Sequence, residues 1–379
     1  MKALLLNLDD KLWENTRGFE LDEVPDPSFD PQKDAKKVLV KVQYTGMCGS
    51  DRSVWNRDAF KDVIFNSLHK EKKSKRIIGH EFVGEIVEMG DDVAEKFGLH
   101  KGQIVASESH LFCGRCYFCR HGHANICEND KILGVTTDGC FSEYIKLPAY
   151  VLWPTNTKKI RKEVAAVQEP FGNAVHAAST VNCAGKTIAI FGCGAIGQFL
   201  ILIAKAYGAS TIIAIDPNER NRKVVEALGA QHVFSTINSP HTSDAKLLEN
   251  IRELTNGRGV DISFEMSGFN VSVNNAIQAT TRGGDIVLFG LKSGNFTIEH
   301  FDSIILEGKR LHGVIGREIF ASWFMTKQLL ENTENKIQKK IFNTILNEGD
   351  ETIVPINDFS TVKIEELFTK YPKVILKWS

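Results

Sequence analysis

Residues 187–209 read TIAIFGCGAIGQFLILIAKAYGA: an apolar run, three spaced glycines, and a second apolar run of helical length. Gly192, Gly194 and Gly197 make a GxGxxG turn, and the pattern carries weight here because a strand precedes it and a helix follows. Glycine permits the tight turn and lets the backbone approach a pyrophosphate closely. The helix behind it then offers amides and a partial positive charge to that anion. The next apolar run, TIIAID, ends in Asp216, 24 residues after Gly192. A carboxylate there accepts from a ribose 2′-hydroxyl and repels a 2′-phosphate, so NAD is expected rather than NADP. Arg220, Arg222 and Lys223 weaken that preference, and Arg222 is counted among the candidate cofactor contacts.

Outward from this stretch, RNRKVVEALGA, HVFST, VDISFEMSG and GGDIVLFG continue an alternation of apolar strand and amphipathic helix, the signature of a parallel sheet wound with helices. Upstream, VLVKVQYTGMCG, FVGEIVEMGDDV and GQIVASES are short β-branched runs broken by glycine, which predict a mostly antiparallel, barrel-like unit. Downstream, IFASWFMTKQLLEN and the closing VILKW return to mixed helix and strand. The expected fold is therefore α/β: a mostly-β domain over 1–170, a doubly wound parallel-sheet domain over 171–314, and a segment 315–379 that completes the first. Two domains is the number that 379 residues lead one to expect. Arg57 to Arg76 reads as an exposed, charged loop, with a lid as the alternative.

Lys and Arg total 46 against 47 Asp and Glu, a net charge of −1, which gives no electrostatic reason for a nucleic-acid or membrane partner and favours a small molecule. The opening MKALLLNLDD has too short an apolar run for a signal peptide or a span, so a cytoplasmic location is expected. In a reducing compartment clustered cysteines more often hold metal than form disulfides. Cys113, Cys116, Cys119 and Cys127 lie within 15 residues, in CGRCYFCRHGHANIC. Thiols this close pair poorly as disulfides but suit the closed tetrahedral shell of a structural zinc.

A second set is dispersed: Cys48 in GMCGSD, His80 and Glu81 in GHEFVGE, and Glu169 in QEPFGNAVH. Singly, each has an ordinary structural explanation, as a small buried hydrophobe, a satisfied core histidine or a carboxylate at a helix start. Together they offer sulfur, nitrogen and oxygen ligands with a position left for substrate. An open zinc polarises an alcohol oxygen and eases its deprotonation, so that hydride can leave the carbon bearing it.

In this order the pieces resemble the zinc-containing medium-chain dehydrogenase family over nearly the whole chain, from GMCGSD to VILKW. That resemblance implies a GroES-like mostly-β catalytic domain interrupted by a Rossmann domain, one catalytic and one structural Zn²⁺ per chain, NAD as cofactor, and a homotetramer or homodimer. It places the catalytic zinc on Cys48, His80 and Glu169, with Glu81 a ligand or exchanging with one. SESHLFCGRCYFCRHG, KILGVTTDGCFSEY, QEPFGNAVHA and GVIGREIFASWF are similar to the threonine-oxidising members. The likeness implies that Ser50 takes the alcohol proton, that His110 lies near the substrate, and that Arg317 meets its carboxylate, as a bidentate guanidinium can. It further implies cofactor contacts at Ile196, Phe289, Gly290, Leu291, Val314 and Ile315. Two positions depart from the family pattern. Ser53 stands where many relatives carry a relay histidine, which leaves the relay to water or to a residue such as His69; Asn221 stands where relatives often have arginine. The alternatives are a polyol, sugar or butanediol dehydrogenase of the same family and a catalytically silent zinc-binding member.

Overall fold

Six parallel strands form one sheet in the order His232–Phe234, Thr211–Ile215, Thr187–Phe191, Val260–Glu265, Thr280–Leu288, Arg310–Gly313. Counted along the chain, the third, second and first strands are followed by the fourth, fifth and sixth. This is the dinucleotide-binding arrangement, whose ligand crevice opens at the carboxyl ends of the first and fourth strands, where the order reverses. Ile188, Ala189 and Ile190 are all 0% exposed, as a strand covered by helices on both faces requires. The helix behind the glycine turn, Ala195–Ala206, differs from the amphipathic expectation. Every residue from Gly197 to Ala204 is buried, because FLILIA is apolar all round.

The structure, a computed structural model, describes residues 1–8, 13–237, 242–292 and 294–379. It divides into a unit of Met1–Pro170, Glu318–Thr333 and Ile341–Ser379 and a unit of Phe171–Arg317 and Glu334–Lys340. The closing segment thus differs from the expected 315–379. Residues 315–317 and 334–340 go with the parallel sheet, where Arg317 Nη1 donates to Asn173 Oδ1 at 2.7 Å and Lys340 Nζ to the Leu228 carbonyl at 2.6 Å.

The first unit is built on a seven-stranded sheet. The long strand Lys37–Met47 pairs antiparallel with Glu81–Met89, Tyr144–Pro148 and Val374–Lys377. The last of these pairs parallel with Ile353–Pro355. Val38, Val40 and Val42, each 0% exposed, alternate along the long strand into a core shared with Phe82, Trp55 and Trp378. Two strands of this sheet end at the residues of interest: Cys48 follows Met47, and His80 precedes Glu81.

The stretch 57–76 is not an exposed loop. Lys61–Glu71 is a helix with Ile64 and Leu68, one turn apart, packed into the core. The basic Arg76 is fully buried, with Nη1 bonded to Glu71 and Asp138 and Nη2 to Ser67 Oγ. Its carboxylate partner Asp138 lies 62 residues away in sequence, which is why the charge run reads as solvated from the sequence. Among the described residues no helix is long and apolar enough to cross a membrane.

Candidate functional site

Strand pairing assembles the first cluster. Gly46 faces Glu81 and Met47 faces Val374 across the sheet, so Cys48, His80, Glu81 and Lys373 converge from three distant stretches. Cys48 Sγ, a ring nitrogen of His80 and a carboxylate oxygen of Glu81 lie within 4.8 Å of one another. Cys48 caps the helix Gly49–Asn56, and Asp51 in its first turn accepts from the Cys48 amide at 2.8 Å and stands 3.5 Å from His80 Nδ1. Burial alone lowers the His80 pKa, but the charges of Asp51 and then Cys48 outweigh it and hold the ring well above the ordinary imidazole value.

Glu81 and Lys373 are buried together, 0% and 1% exposed, and Lys373 Nζ donates to Glu81 Oε2 and to the Met47 carbonyl. Burial pushes the Glu81 carboxyl up, the Lys373 ammonium pulls it back, and the nearby Glu169 pushes again; Lys373 stays charged because its carboxylate partner outweighs its own burial. Gly46 makes room for the pair, since a Cβ there would lie 2.1 Å from Glu81 Oε2. Glu81 Oε1 is buried with no hydrogen-bond partner among the described residues. A buried oxygen so placed, beside a thiol and an imidazole, fits a zinc ion.

Glu169 opens the helix Gln168–Ser179 and is 4% exposed, but it is not one of the three converging residues. Its Oε1 accepts from Ser109 Oγ at 2.8 Å, which turns that oxygen toward the strand His110–Leu111. In this geometry Glu81, not Glu169, completes the set with Cys48 and His80. Ser50 is half-buried in the first turn after Cys48. Ser53 Oγ donates to the Gly49 carbonyl at 3.1 Å, so its hydroxyl is engaged within the helix, and His69 sits exposed in the last turn of Lys61–Glu71.

The second cluster is the four-cysteine loop. Cys113, Cys116, Cys119 and Cys127 have sulfurs within 4.8 Å of one another, and all eight cysteines of the chain are free thiols. The Cys127 sulfur accepts from the amides of Cys113 and Asn129 at 3.3 Å. Amide donors, that of Arg115 foremost, bring the Cys113 thiol down to about 6, while burial pushes Cys119 up to about 12. Four thiols this close cannot all ionise unaided, and a divalent cation held there would supply the compensation.

The parallel-sheet unit carries the glycine turn. Gly192 has φ +95°, and a Cβ at Gly197 would stand 2.2 Å from the Gly192 carbonyl oxygen, so both positions demand glycine. Gly194 caps the helix Ala195–Ala206 without a side-chain bond and has open space around it, as an anion cradle requires. Asp216 is 6% exposed; Oδ2 accepts from the Cys193 amide at 2.7 Å and Oδ1 from the Asn218 amide at 2.8 Å. Arg222 Nη1 is spent on the carbonyls of Asp216 and Pro217 and on Ser235 Oγ. Ile196 lies half-buried in the first turn of the helix. The amides of Phe289 and Gly290 bond to the Glu265 carbonyl and that of Val314 to Leu288, while Leu291 and Ile315 are 82% and 52% exposed.

The sequence matches two family models, an alcohol dehydrogenase GroES-like domain over residues 34–157 and a zinc-binding dehydrogenase over residues 195–332. An L-threonine 3-dehydrogenase of Bacillus licheniformis is 34% identical over 341 residues, 90% of this chain and 91% of that one. Another, of Pyrococcus horikoshii, is 36% identical over 317 residues, 83% and 84% of the two chains. The chain belongs to the zinc-binding alcohol dehydrogenase family. The solved 2R,3R-butanediol dehydrogenase of Bacillus subtilis shares the fold of this zinc-binding dehydrogenase with a TM-score of 0.78 at 25% identity, over 100% of this chain and 99% of that one.

Three charged groups bonded to these candidate residues escape the sequence reading. Asp51 carried a local signal, since it sits three residues after Cys48. Lys373 and Asp130 carried none: Lys373 is 292 positions from Glu81, and Asp130 meets His110 across a 20-residue separation, Oδ2 to Nδ1 at 2.5 Å. Arg317 is 1% exposed and bonded to Asn173, and it belongs to the parallel-sheet unit rather than to the cluster around Cys48.

Proposed function

We propose that this enzyme oxidises the secondary hydroxyl of L-threonine, passing hydride to NAD and a proton to solvent, with 2-amino-3-oxobutanoate as product. The observation that carries the chemistry is the convergence of Cys48, His80 and the unpartnered Glu81 Oε1. A zinc ion held there polarises the alcohol and eases loss of its proton. Ser50, in the helix turn that Cys48 caps, is the first acceptor of that proton, and since Ser53 is bonded within its own helix the proton goes on to water. The four cysteines hold a second, structural zinc, for two ions per chain. The carboxylate of Asp216, fixed by two amides, favours NAD over NADP.

The threonine assignment is supported by the names of the relatives at 34–36% identity. The Bacillus subtilis neighbour supports the rival substrate class, a neutral diol. The rate of NAD reduction by zinc-loaded protein, with L-threonine set against 2,3-butanediol and sorbitol, separates them. A kcat/KM preference of tenfold or more for threonine, about 1.4 kcal/mol in the transition state, sustains the reading. A higher kcat/KM for a neutral alcohol removes threonine as the substrate.

A cytoplasmic setting is supported by eight free cysteines. The chain is also proposed to associate with a second copy. The helix Phe301–Leu306 has no buried residue, and Phe301, Ile305 and Leu306 are 57%, 70% and 77% exposed beside the edge strand Arg310–Gly313. An apolar helix face next to an unpaired strand edge suits a like surface.

A further inference from the structure

We infer that Asp130 is a positioning residue that selects the Nδ1–H tautomer of His110, leaving Nε2 as a hydrogen-bond acceptor for a substrate ammonium group, and that the four-cysteine loop is the scaffold that holds Asp130 in place. The inference deepens the threonine reading and rests on it for the identity of the donor.

The geometry begins with a two-stranded ladder. His110–Leu111 pairs antiparallel with Lys131–Ile132, His110 facing Ile132, so the ladder closes the loop that carries all four cysteines. At the foot of that loop Asp130 Oδ2 lies 2.5 Å from His110 Nδ1. The other carboxylate oxygen is buried with no hydrogen-bond partner among the described residues, so the charge is directed at the ring. The His110 backbone is held as well. Its amide donates to Glu108 Oε1 at 3.0 Å, and Glu108 Oε2 accepts from Trp323 Nε1 at 2.8 Å. His110 is 9% exposed, and its neighbour Ser109 bonds to Glu169, whose charge acts on Glu81, so the strand that carries the ring runs beside the candidate zinc site.

A carboxylate can only accept, so the nitrogen it faces carries the proton; in a neutral imidazole the other nitrogen then offers a lone pair. That lone pair complements a group that only donates, and an alkylammonium beside the reacting carbon is such a group. A neutral diol gains no comparable partner. Specificity for a 2-amino alcohol would follow from the tautomer.

Asp130 in turn hangs on the cysteine loop. Its amide donates to the Cys127 carbonyl at 3.3 Å, and the preceding Asn129 donates from its own amide to Cys127 Sγ at 3.3 Å. A metal that fixes Cys127 would therefore fix Asn129 and Asp130 itself. Outer partners of this kind commonly matter about 10–100-fold.

The test is two-bond ¹H–¹⁵N NMR of zinc-loaded, ¹⁵N-histidine-labelled protein in buffer above the ordinary imidazole pKa of about 6.5, with His110 assigned by the signal lost in His110→Asn. The wild-type ring is expected as Nδ1–H, Asp130→Ala as Nε2–H, and Asp130→Glu as a return toward the wild-type pattern. Cys127→Ser, which disables the loop, is expected to move the His110 signals as Asp130→Ala does. In kinetics, Asp130→Ala should raise KM for L-threonine about tenfold with a smaller effect on kcat and leave KM for 2,3-butanediol within twofold. A wild-type ring protonated on Nε2, or on both nitrogens, overturns the proposal, and the wild-type spectrum alone decides it if the alanine variant does not fold. His110 signals unmoved by Cys127→Ser remove the scaffold role. If L-threonine is no substrate while the tautomers behave as stated, the threonine reading falls and the role of Asp130 stands.

Discussion

Lys373 and Glu81, 292 positions apart, form an ion pair with both side chains fully buried, and the pair sits directly on the Cα of Gly46. Glu81 has one oxygen for the ammonium and one to spare, so the same residue that answers a buried lysine can answer a metal. The lysine pulls down the carboxyl pKa that burial pushes up.

Lys373→Met is therefore expected to destabilise the fold by about 3–5 kcal/mol, because it leaves a buried carboxylate uncompensated. Burial holds the Glu81 carboxyl above its unfolded value, and removal of the lysine raises it further. A raised carboxyl costs stability as pH rises past the unfolded pKa, so the loss should be greater in alkaline than in mildly acidic buffer. Urea midpoints at two pH values, with Glu81→Gln added to the variant as a partial rescue, check this; a midpoint unchanged by Lys373→Met contradicts it.

Asp51 accepts from the Cys48 amide and stands 3.5 Å from His80 Nδ1. Asp51→Asn should weaken zinc at this centre about 10–100-fold and leave the four-cysteine ion in place. Chelator competition should then show one labile and one retained equivalent. Equal retention of both in variant and wild type would count against Asp51 as a support.

Zinc retention should fall with acidification at both centres. His80 is held above the ordinary imidazole value by Asp51 and Cys48, and Cys119 stands at about 12 through burial, so protons compete with the metal over the whole neutral range. A chromophoric chelator should extract zinc faster at each lower pH, and a flat profile would show that ligand protonation does not limit release.

Asp216→Ala removes the acceptor for a ribose hydroxyl and also frees the Cys193 amide in the glycine turn. The expected outcome is a lower kcat/KM for NAD and a preference over NADP reduced tenfold or more, about 1.4 kcal/mol. An unchanged NAD to NADP ratio would move cofactor choice to another residue.

Ile305→Glu with Leu306→Glu places two charges on the exposed helix face. Sedimentation is expected to show a smaller species than the wild type, with far-UV circular dichroism unchanged. A wild-type chain that sediments as a monomer ends the proposal of a second copy at this surface.

What could be read from the sequence was local. The four cysteines lie within 15 residues, the glycine turn and its acid within 25, and the alternation of strand and helix needs only a few dozen, so contiguous pattern was enough for the cysteine cluster and the parallel sheet to be legible. The structure alone decided which of the dispersed candidates meet. The pairing of Gly46 with Glu81 and of Met47 with Val374 is a register, and a shift of one residue would turn each side chain to the other face of the sheet. That register brings Lys373 to Glu81, lets Glu81 rather than Glu169 stand with Cys48 and His80, and has no counterpart in spacing along the chain. The same holds for Arg76, whose charge is legible but whose burial depends on Asp138, and for His110, whose ring is set by an acid on the far side of the cysteine loop. Propensity and motif act through near neighbours, whereas burial of charge depends on partners that only the closed fold supplies.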